Sequence, residues 1–355
     1  MILYWFIFIT STFFTIFNRL SLFNNNYFKL FFYFLLLIFI GFRFEIGGDW
    51  NTYIVTFNEM NLDFIINYNY RGDIGYNLLQ FLSKKLKLGI YGVNLFCALI
   101  FLIAINLICK LYKEYWLTFI ILLPYLIFIV STGYTRQSVS IAFATIGIYY
   151  LLADKNTYYQ NYFYFLFFIF IGSLFHKSII IMMIFLIPFI NIYLVLLGFL
   201  ILAVLFGHFV SFFENEVRRV VEQYLYTSYF SKGVILRFII LVPSILMYIF
   251  SLRYIHYTKN ELKIFNIYVF LIIIFSFAVV FYPLAIIDRF ALYFLPISAL
   301  IYSKFTYIFK TKYIDYLIYK NVIIMYLFIQ LYIWFNFSVH KSYWVPYKNI
   351  LFNYL

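Results

Sequence analysis

Twelve apolar runs, separated by short polar breaks, constrain this chain more than any other feature. They cover approximately 2–17, 28–42, 91–109, 116–132, 137–153, 161–175, 178–190, 193–210, 234–252, 264–282, 289–303 and 316–337. A helix needs ~20 mostly apolar residues to cross a bilayer, and in lipid every backbone polar group must be satisfied within the helix. The pattern therefore predicts an all-α polytopic integral membrane protein of about 12 transmembrane helices. The composition agrees: 66% of the 355 residues are hydrophobic and 11% are charged, more apolar surface than a soluble domain of this size buries. The runs either side of Pro188 and Asn191 also read as one long kinked helix. With no internal repeat, low-complexity linker or soluble segment, residues 1–355 read as a single polytopic domain.

The first run lacks a basic leader and a small-residue cleavage site, so it reads as a retained helix. Cys97 and Cys109 share one apolar stretch without metal-ligand spacing, which argues against a disulfide or zinc site. The formal net charge of +13 is scattered among helix ends rather than gathered in a basic domain. That distribution points to membrane topology and anionic lipid, and not to nucleic acid.

Orientation follows from the short loops. If 18–28 faces the cytoplasm, alternation places Lys110, Lys113, Lys155, Arg253, Lys259, Lys263, Lys304, Lys310 and Lys312 on the same side, as the positive-inside rule expects. The opposite, external side receives both termini and the two longest connections, 43–90 and 211–233. It also receives nine of the thirteen acids and seven of the nine arginines. Lysine suffices as a point charge near lipid heads, whereas the planar guanidinium grips phosphate or carboxylate at two points. The arginine-rich side is therefore the expected functional face.

Ionisable groups at membrane depth are expensive and are kept mainly where they face a cavity, a partner or a substrate. Arg43 closes one run just before Gly47-Gly48 and Asp49; snorkelling by Arg43 and helix capping by Asp49 are the plain alternatives. Arg136-Gln137 sits in the polar stretch from Ser131 to Ser140, where a lone interfacial arginine on lipid heads is the competing reading. His176-Lys177 divides two runs, and a histidine there is either a base or phosphate contact or a satisfied helix end. Asp288-Arg289 opens another run, and adjacent residues on a helix point apart, so they are not simply each other's partner. The loop from Phe212 to Lys232 predicts an amphipathic external helix. In it Arg218 is laddered between Glu214 and Glu222, while Arg219 is off that register. The aromatic tail from Trp334 to Tyr347 reads as interfacial belt residues, with stacking on sugar rings as a second option. His208 and His256 read as structural.

No Walker loop, His-Glu-x-x-His, Gly-x-Ser-x-Gly or Asp-x-Asp pair is present, so neither nucleotide nor metal nor any other cofactor is expected. A carrier of lipid-linked oligosaccharide, a glycan ligase and a membrane acyltransferase stay open on these residues alone.

Four motifs occur in order: Phe-Arg-x-x-x-Gly-Gly-Asp-x-x-x-Tyr (42–53), Thr-Arg-Gln-Ser-Val-Ser-Ile-Ala (135–142), Phe-His-Lys-Ser (175–178) and Asp-Arg-Phe-x-x-Tyr (288–293). With the Tyr-Trp-Val-Pro-Tyr tail (343–347), they resemble the EpsG-like branch of Wzy-type polysaccharide polymerases. Gly-Gly-Asp stands where relatives tend to carry Gly-Thr-Asp, and Ser138 and Ser140 stand in a stretch that is usually more apolar. The resemblance implies a GT-C-like bundle in the bacterial cytoplasmic membrane, acting at the outer leaflet on oligosaccharide repeat units carried by undecaprenyl pyrophosphate. It also implies a flippase and a chain-length regulator as pathway partners. On this reading Arg136 and Arg289 are catalytic, with Asp49 and His176 as unranked candidates for the base. Arg43, Arg219, Gln137, Asp288, Tyr293 and Lys177 are the expected substrate contacts.

Overall fold

In the computed structural model, residues 1–61, 73–153, 158–189, 234–281, 285–309 and 312–352 are described. Eleven of the twelve predicted runs are helical; the twelfth, 193–210, lies outside the described residues, as do Arg219 and the predicted helix around it. The helices used below are α1 (Ile2–Ile16), α2 (Asn26–Gly41), α3 (Trp50–Glu59), α4 (Ile74–Lys85), α5 (Gly89–Cys109), α6 (Tyr115–Gly133) and α7 (Thr135–Leu152). They continue with α8 (Tyr158–Ser173), a 3-10 helix (Lys177–Phe189), α9 (Val234–Ser251), α10 (Lys259–Phe281), α11 (Ala285–Phe305) and α12 (Tyr313–Phe337). The protein is an all-α polytopic membrane protein, and among the described residues five helices are long and apolar enough to cross a bilayer: α5, α6, α10, α12 and α11 with its 3-10 extension to Phe309. Other apolar helices, α1 and α2 among them, are shorter than a straight crossing requires.

Burial decides the layering. α6 is wholly enclosed, with α1, α5, α11 and α12 packed around it. By contrast α10 exposes Phe270, Phe277 and Val280, as a helix facing lipid tails does. Pro124 opens a stretch of π-helix, Leu123–Val130, inside α6. A proline inside a helix removes one backbone donor, and wider winding accommodates the lost bond. Tyr134 then breaks the helix, and α7 starts at the next residue.

Long helices separate two polar ends. At one end Glu114 accepts from Tyr316 Oη at 2.8 Å and Asn18 Nδ2 at 2.8 Å and pairs with Lys320 at 3.4 Å. Nearby, Glu261 caps α10 with Thr258, accepts from Tyr112 Oη at 2.5 Å and pairs with buried Lys304. Asp288 and Lys304 lie on one helix sixteen residues apart, which at 1.5 Å per residue separates the ends by ~24 Å. The Glu261–Lys304 pair gives a clear expectation for stability. Lys304→Met should destabilise the protein in detergent by about 3–5 kcal/mol, because it strands a buried carboxylate. Glu261→Met with Lys304→Met should recover much of that loss, as a thermal melt would register.

The described residues of segment 43–90 form a built structure and not a plain loop. It contains α3 and α4, and it is fastened to the C-terminal tail. Phe44 N–H donates to Lys348 O at 3.0 Å, Gly47 N–H to Tyr343 O at 2.8 Å, and Ile350 N–H to Phe42 O at 3.0 Å.

Candidate functional site

The second polar end gathers side chains from four distant parts of the sequence. Asp49 precedes α3 and Asp73 precedes α4, each at the position where a carboxylate ordinarily caps a helix, yet neither side chain makes a capping bond. Asp73 instead meets Arg136 Nη1 at 3.3 Å. Asp49 accepts from Tyr53 Oη at 3.3 Å, and Arg136 lies 5.7 Å from the Tyr53 ring centre. Arg136 stands at the second position of α7 with its side chain 32% exposed, and Arg289 is exposed at the start of α11. Both cations act on Asp49, and both act on His176. Gly75 N–H donates to Leu174 O at 2.8 Å, which ties the start of α4 to the chain just before His176.

Burial and charge set the proton affinities. Desolvation pushes the Asp49 carboxyl above the usual aspartate range, with Arg136, the Tyr53 hydrogen bond and Arg289 pulling the other way. Asp73 is raised for the same first reason, and Arg136 and Lys177 oppose it. His176 is driven down to about 3 by burial, then by the charges of Arg289 and Arg136. It is therefore neutral throughout the physiological range.

The imidazole is anchored in a chain of hydroxyls. His176 Nδ1 lies 2.6 Å from Ser178 Oγ and 3.3 Å from the Ser178 backbone nitrogen. Ser178 Oγ lies 2.8 Å from Tyr293 Oη, Tyr293 Oη donates to Ser140 Oγ at 3.0 Å, and Ser140 Oγ donates to the His176 carbonyl at 3.2 Å.

Four of the expected substrate contacts have other roles. Arg43 is 1% exposed, neither snorkelling nor facing the site; its guanidinium donates to Ile40 O at 2.7 Å, Asn94 Oδ1 at 3.0 Å and Thr135 Oγ1 at 2.7 Å. It is a buried clamp joining α2, α5 and the start of α7. Asp288 is ion-paired with Arg237 of α9, both side chains being largely buried. Gln137 Nε2 donates to Arg289 O at 3.1 Å, and so fixes the backbone from which Arg289 projects. Tyr293, 1% exposed, is enclosed in the hydroxyl chain and is linked to His176 through Ser178. Lys177 is exposed and acts electrostatically on Asp73.

Asp73, Tyr53 and Arg237 are not among the expected site residues. Arg237 carried a signal, a lone arginine inside an apolar run. Tyr53 carried one as the closing residue of the 42–53 motif, and Asp73 carried none, being an ordinary polar residue of a long connection.

Backbone packing positions the site. Gly47 has φ +103°, and a Cβ there would lie 2.5 Å from the Gly133 Cα. The Gly133 Cα faces the buried Trp344 indole, whose Nε1 donates to Thr132 Oγ1 at 2.9 Å. This close packing holds the segment before Asp49 against the turn before Arg136. Trp344 is thus no sugar platform, and Tyr347 stacks on Phe39 with ring centres 4.6 Å apart. Among the described residues, no three His, Cys, Asp or Glu side chains gather in a way that would hold a metal ion.

A family model, that of the EpsG family, matches residues 26–349. A search of curated proteins and a search of solved structures each give no match.

Proposed function

The chain belongs to the EpsG family, and from that membership and the site's geometry we propose that it polymerises oligosaccharide repeat units carried on undecaprenyl pyrophosphate. Family membership supports a polysaccharide polymerase role in general terms. The substrate, the bacterial cytoplasmic membrane as location and an outward-facing site are our reading. The observation that carries it is the convergence of Arg136, Arg289, Asp49 and His176 at one end of the bundle, from segments spread over the chain.

In the proposed reaction, the hydroxyl of an incoming unit attacks the anomeric carbon of the growing chain. The new glycosidic bond forms as the bond to pyrophosphate breaks, and undecaprenyl pyrophosphate leaves with the bonding electron pair. Negative charge grows on that pyrophosphate, and fixed cations that bind it more tightly in the transition state lower the barrier. Arg136 and Arg289 take this role. For Arg136 the phosphate oxygens replace the long, monodentate contact to Asp73. The proton of the attacking hydroxyl goes to Asp49. A carboxylate made more basic by burial suits that task, whereas an imidazole that ionises only near pH 3 is too weak a base. A sugar–pyrophosphate bond stores the energy for transfer, so no nucleotide is required.

The pH profile tests Asp49. Its raised proton affinity means that it loses its charge at a higher pH than an ordinary aspartate, with its reference near ~3.9. The acid limb of the rate should therefore lie above that value, with no histidine limb near neutrality. Tyr53→Phe removes a bond to the charged form, so it should move the limb to higher pH. An unmoved limb in Tyr53→Phe, or a normal rate in Asp49→Asn, contradicts the assignment. The function itself is tested by incubating purified protein with a lipid-linked repeat unit without nucleotide. A ladder of multiples is expected, and unchanged single units count against a polymerase.

A further inference from the structure

The proposed reaction carries a difficulty at its end. As the glycosidic bond breaks, the terminal phosphate gains an ionisable oxygen, so the lipid pyrophosphate that leaves is more anionic than the substrate that arrived. Fixed cations that stabilise this charge also hold the product, and product release limits many enzymes. Arginines with no competing anion nearby would bind the product and keep it.

Asp73 is such an anion. It precedes α4 at the position of a helix cap, but its side chain makes no capping bond. Its Oδ2 meets Arg136 Nη1 at 3.3 Å instead, against ~2.8 Å for a well-made charge-assisted bond. A contact this long is readily exchanged. The backbone beneath it is fixed. Gly75 N–H donates to Leu174 O at 2.8 Å, Asn77 N–H donates to Asp73 O at 3.0 Å, and a Cβ at Gly75 would lie 3.0 Å from the Leu174 Cβ. Exchange is therefore a turn of the Asp73 side chain and not a movement of α4. A second cation also acts on this carboxylate: Lys177, exposed at the start of the 3-10 helix. Asp73 thus keeps a counter-charge when it leaves Arg136.

We infer that Asp73 is the resident counter-ion of Arg136, displaced when a pyrophosphate binds and returning to Arg136 as the lipid pyrophosphate product leaves. It acts through Arg136 and is a positioning residue. The two carboxylates beside Arg136 then divide the work: Asp49, bonded to Tyr53, takes the proton, and Asp73 competes for the cation. The identity of the anion rests on the proposed function, whereas the competition at Arg136 does not.

Calorimetry with inorganic pyrophosphate and purified protein in detergent tests the competition without turnover. Asp73→Asn keeps the shape and removes the charge. It should bind pyrophosphate about 5-fold tighter than the unmutated protein, the upper end for an ion pair that water still reaches. Damage to the fold loosens a site and does not tighten it, so the direction separates competition from a structural role. Asp73→Ser removes the charge as well, and serves if asparagine lowers the melting temperature. In an Arg136→Ala background the same change should alter affinity by less than about 2-fold, because the competition acts through that guanidinium. Equal or weaker binding in both charge-removing variants overturns the inference. With the lipid-linked unit as substrate, Asp73→Asn should slow later turnovers more than the first, as product accumulates. Equal slowing of the first and later turnovers overturns product release as its task. Tighter pyrophosphate binding by Asp73→Asn, with no polymer from the unmutated protein, overturns the functional reading and leaves the competition standing. No pyrophosphate bound by either protein overturns both.

Discussion

Arg136→Ala and Arg289→Ala are each expected to lower polymer formation about 10²–10³-fold, the loss typical when one fixed donor to developing charge is removed. An arginine at a helix end beside half-buried carboxylates gives up hydration, and Arg136 recovers a monodentate 3.3 Å contact with Asp73 together with its interactions with Tyr53 and Asp49. Such a cation is poised for a better partner, and a pyrophosphate with several oxygens is one. Lysine keeps the charge but loses the planar fork, so Arg136→Lys and Arg289→Lys should recover little of the rate. Yields of glycan from membranes with equal amounts of each variant would measure this. Near-normal polymer from both lysine variants contradicts the assignment. Arg43→Lys makes a useful contrast: Arg43 is a clamp on Asn94 and Thr135, so its loss should lower thermal stability before it lowers the rate per folded molecule.

The second large effect is expected at two glycines. A methyl group at Gly133 would fall inside the envelope of the Trp344 ring, which is buried and held by Thr132. A methyl group at Gly47 would meet the Gly133 backbone at 2.5 Å and would require a residue with a side chain to sit at φ +103°. Overpacking alone costs about 1–3 kcal/mol, and the backbone conformation adds to this at Gly47. Gly47→Ala and Gly133→Ala should therefore melt earlier in detergent and should also lose activity. Asp49 lies two residues beyond one of them and Arg136 three beyond the other. Gly48 is the internal control, because a Cβ there meets nothing within 4 Å. Gly48→Ala melting as early as Gly47→Ala would show that the close packing is not what matters.

The helices were legible because bilayer thickness and backbone satisfaction leave a long apolar run only one option. The same physics made Arg136, Arg289, Asp49 and His176 visible, since each interrupts such a run or follows one closely. What could not be read was the direction in which a polar side chain points. Arg43 and Arg136 look alike in sequence, each an arginine beside glycine at the end of an apolar run. Asn94 and Thr135, distant in the chain, turn Arg43 inward, while Asp73 draws Arg136 toward the site. Asp288 is ion-paired with Arg237, which comes from another helix. The hydroxyl chain is the extreme case. Ser140, Ser178 and Tyr293 are unremarkable singly and form a network only as their three segments meet.

The segregation of polar residues also gains a physical basis. One end of the bundle buries its charges in closed pairs, Glu114 with Lys320 and Glu261 with Lys304, which hold helices together. The other end leaves Arg136 and Arg289 accessible beside basic carboxylates. That end also holds a closed pair, Arg237 with Asp288, beside the accessible arginines.

The measurement that tests this account most directly counts undecaprenyl pyrophosphate released against glycosidic bonds formed, with purified protein and one lipid-linked repeat unit. One lipid pyrophosphate freed per new linkage is the predicted result, with both falling together in Arg136→Lys and Arg289→Lys. Intact lipid-linked units carried across a vesicle bilayer, with no pyrophosphate released, would contradict it and make the arginines the binding site of a carrier.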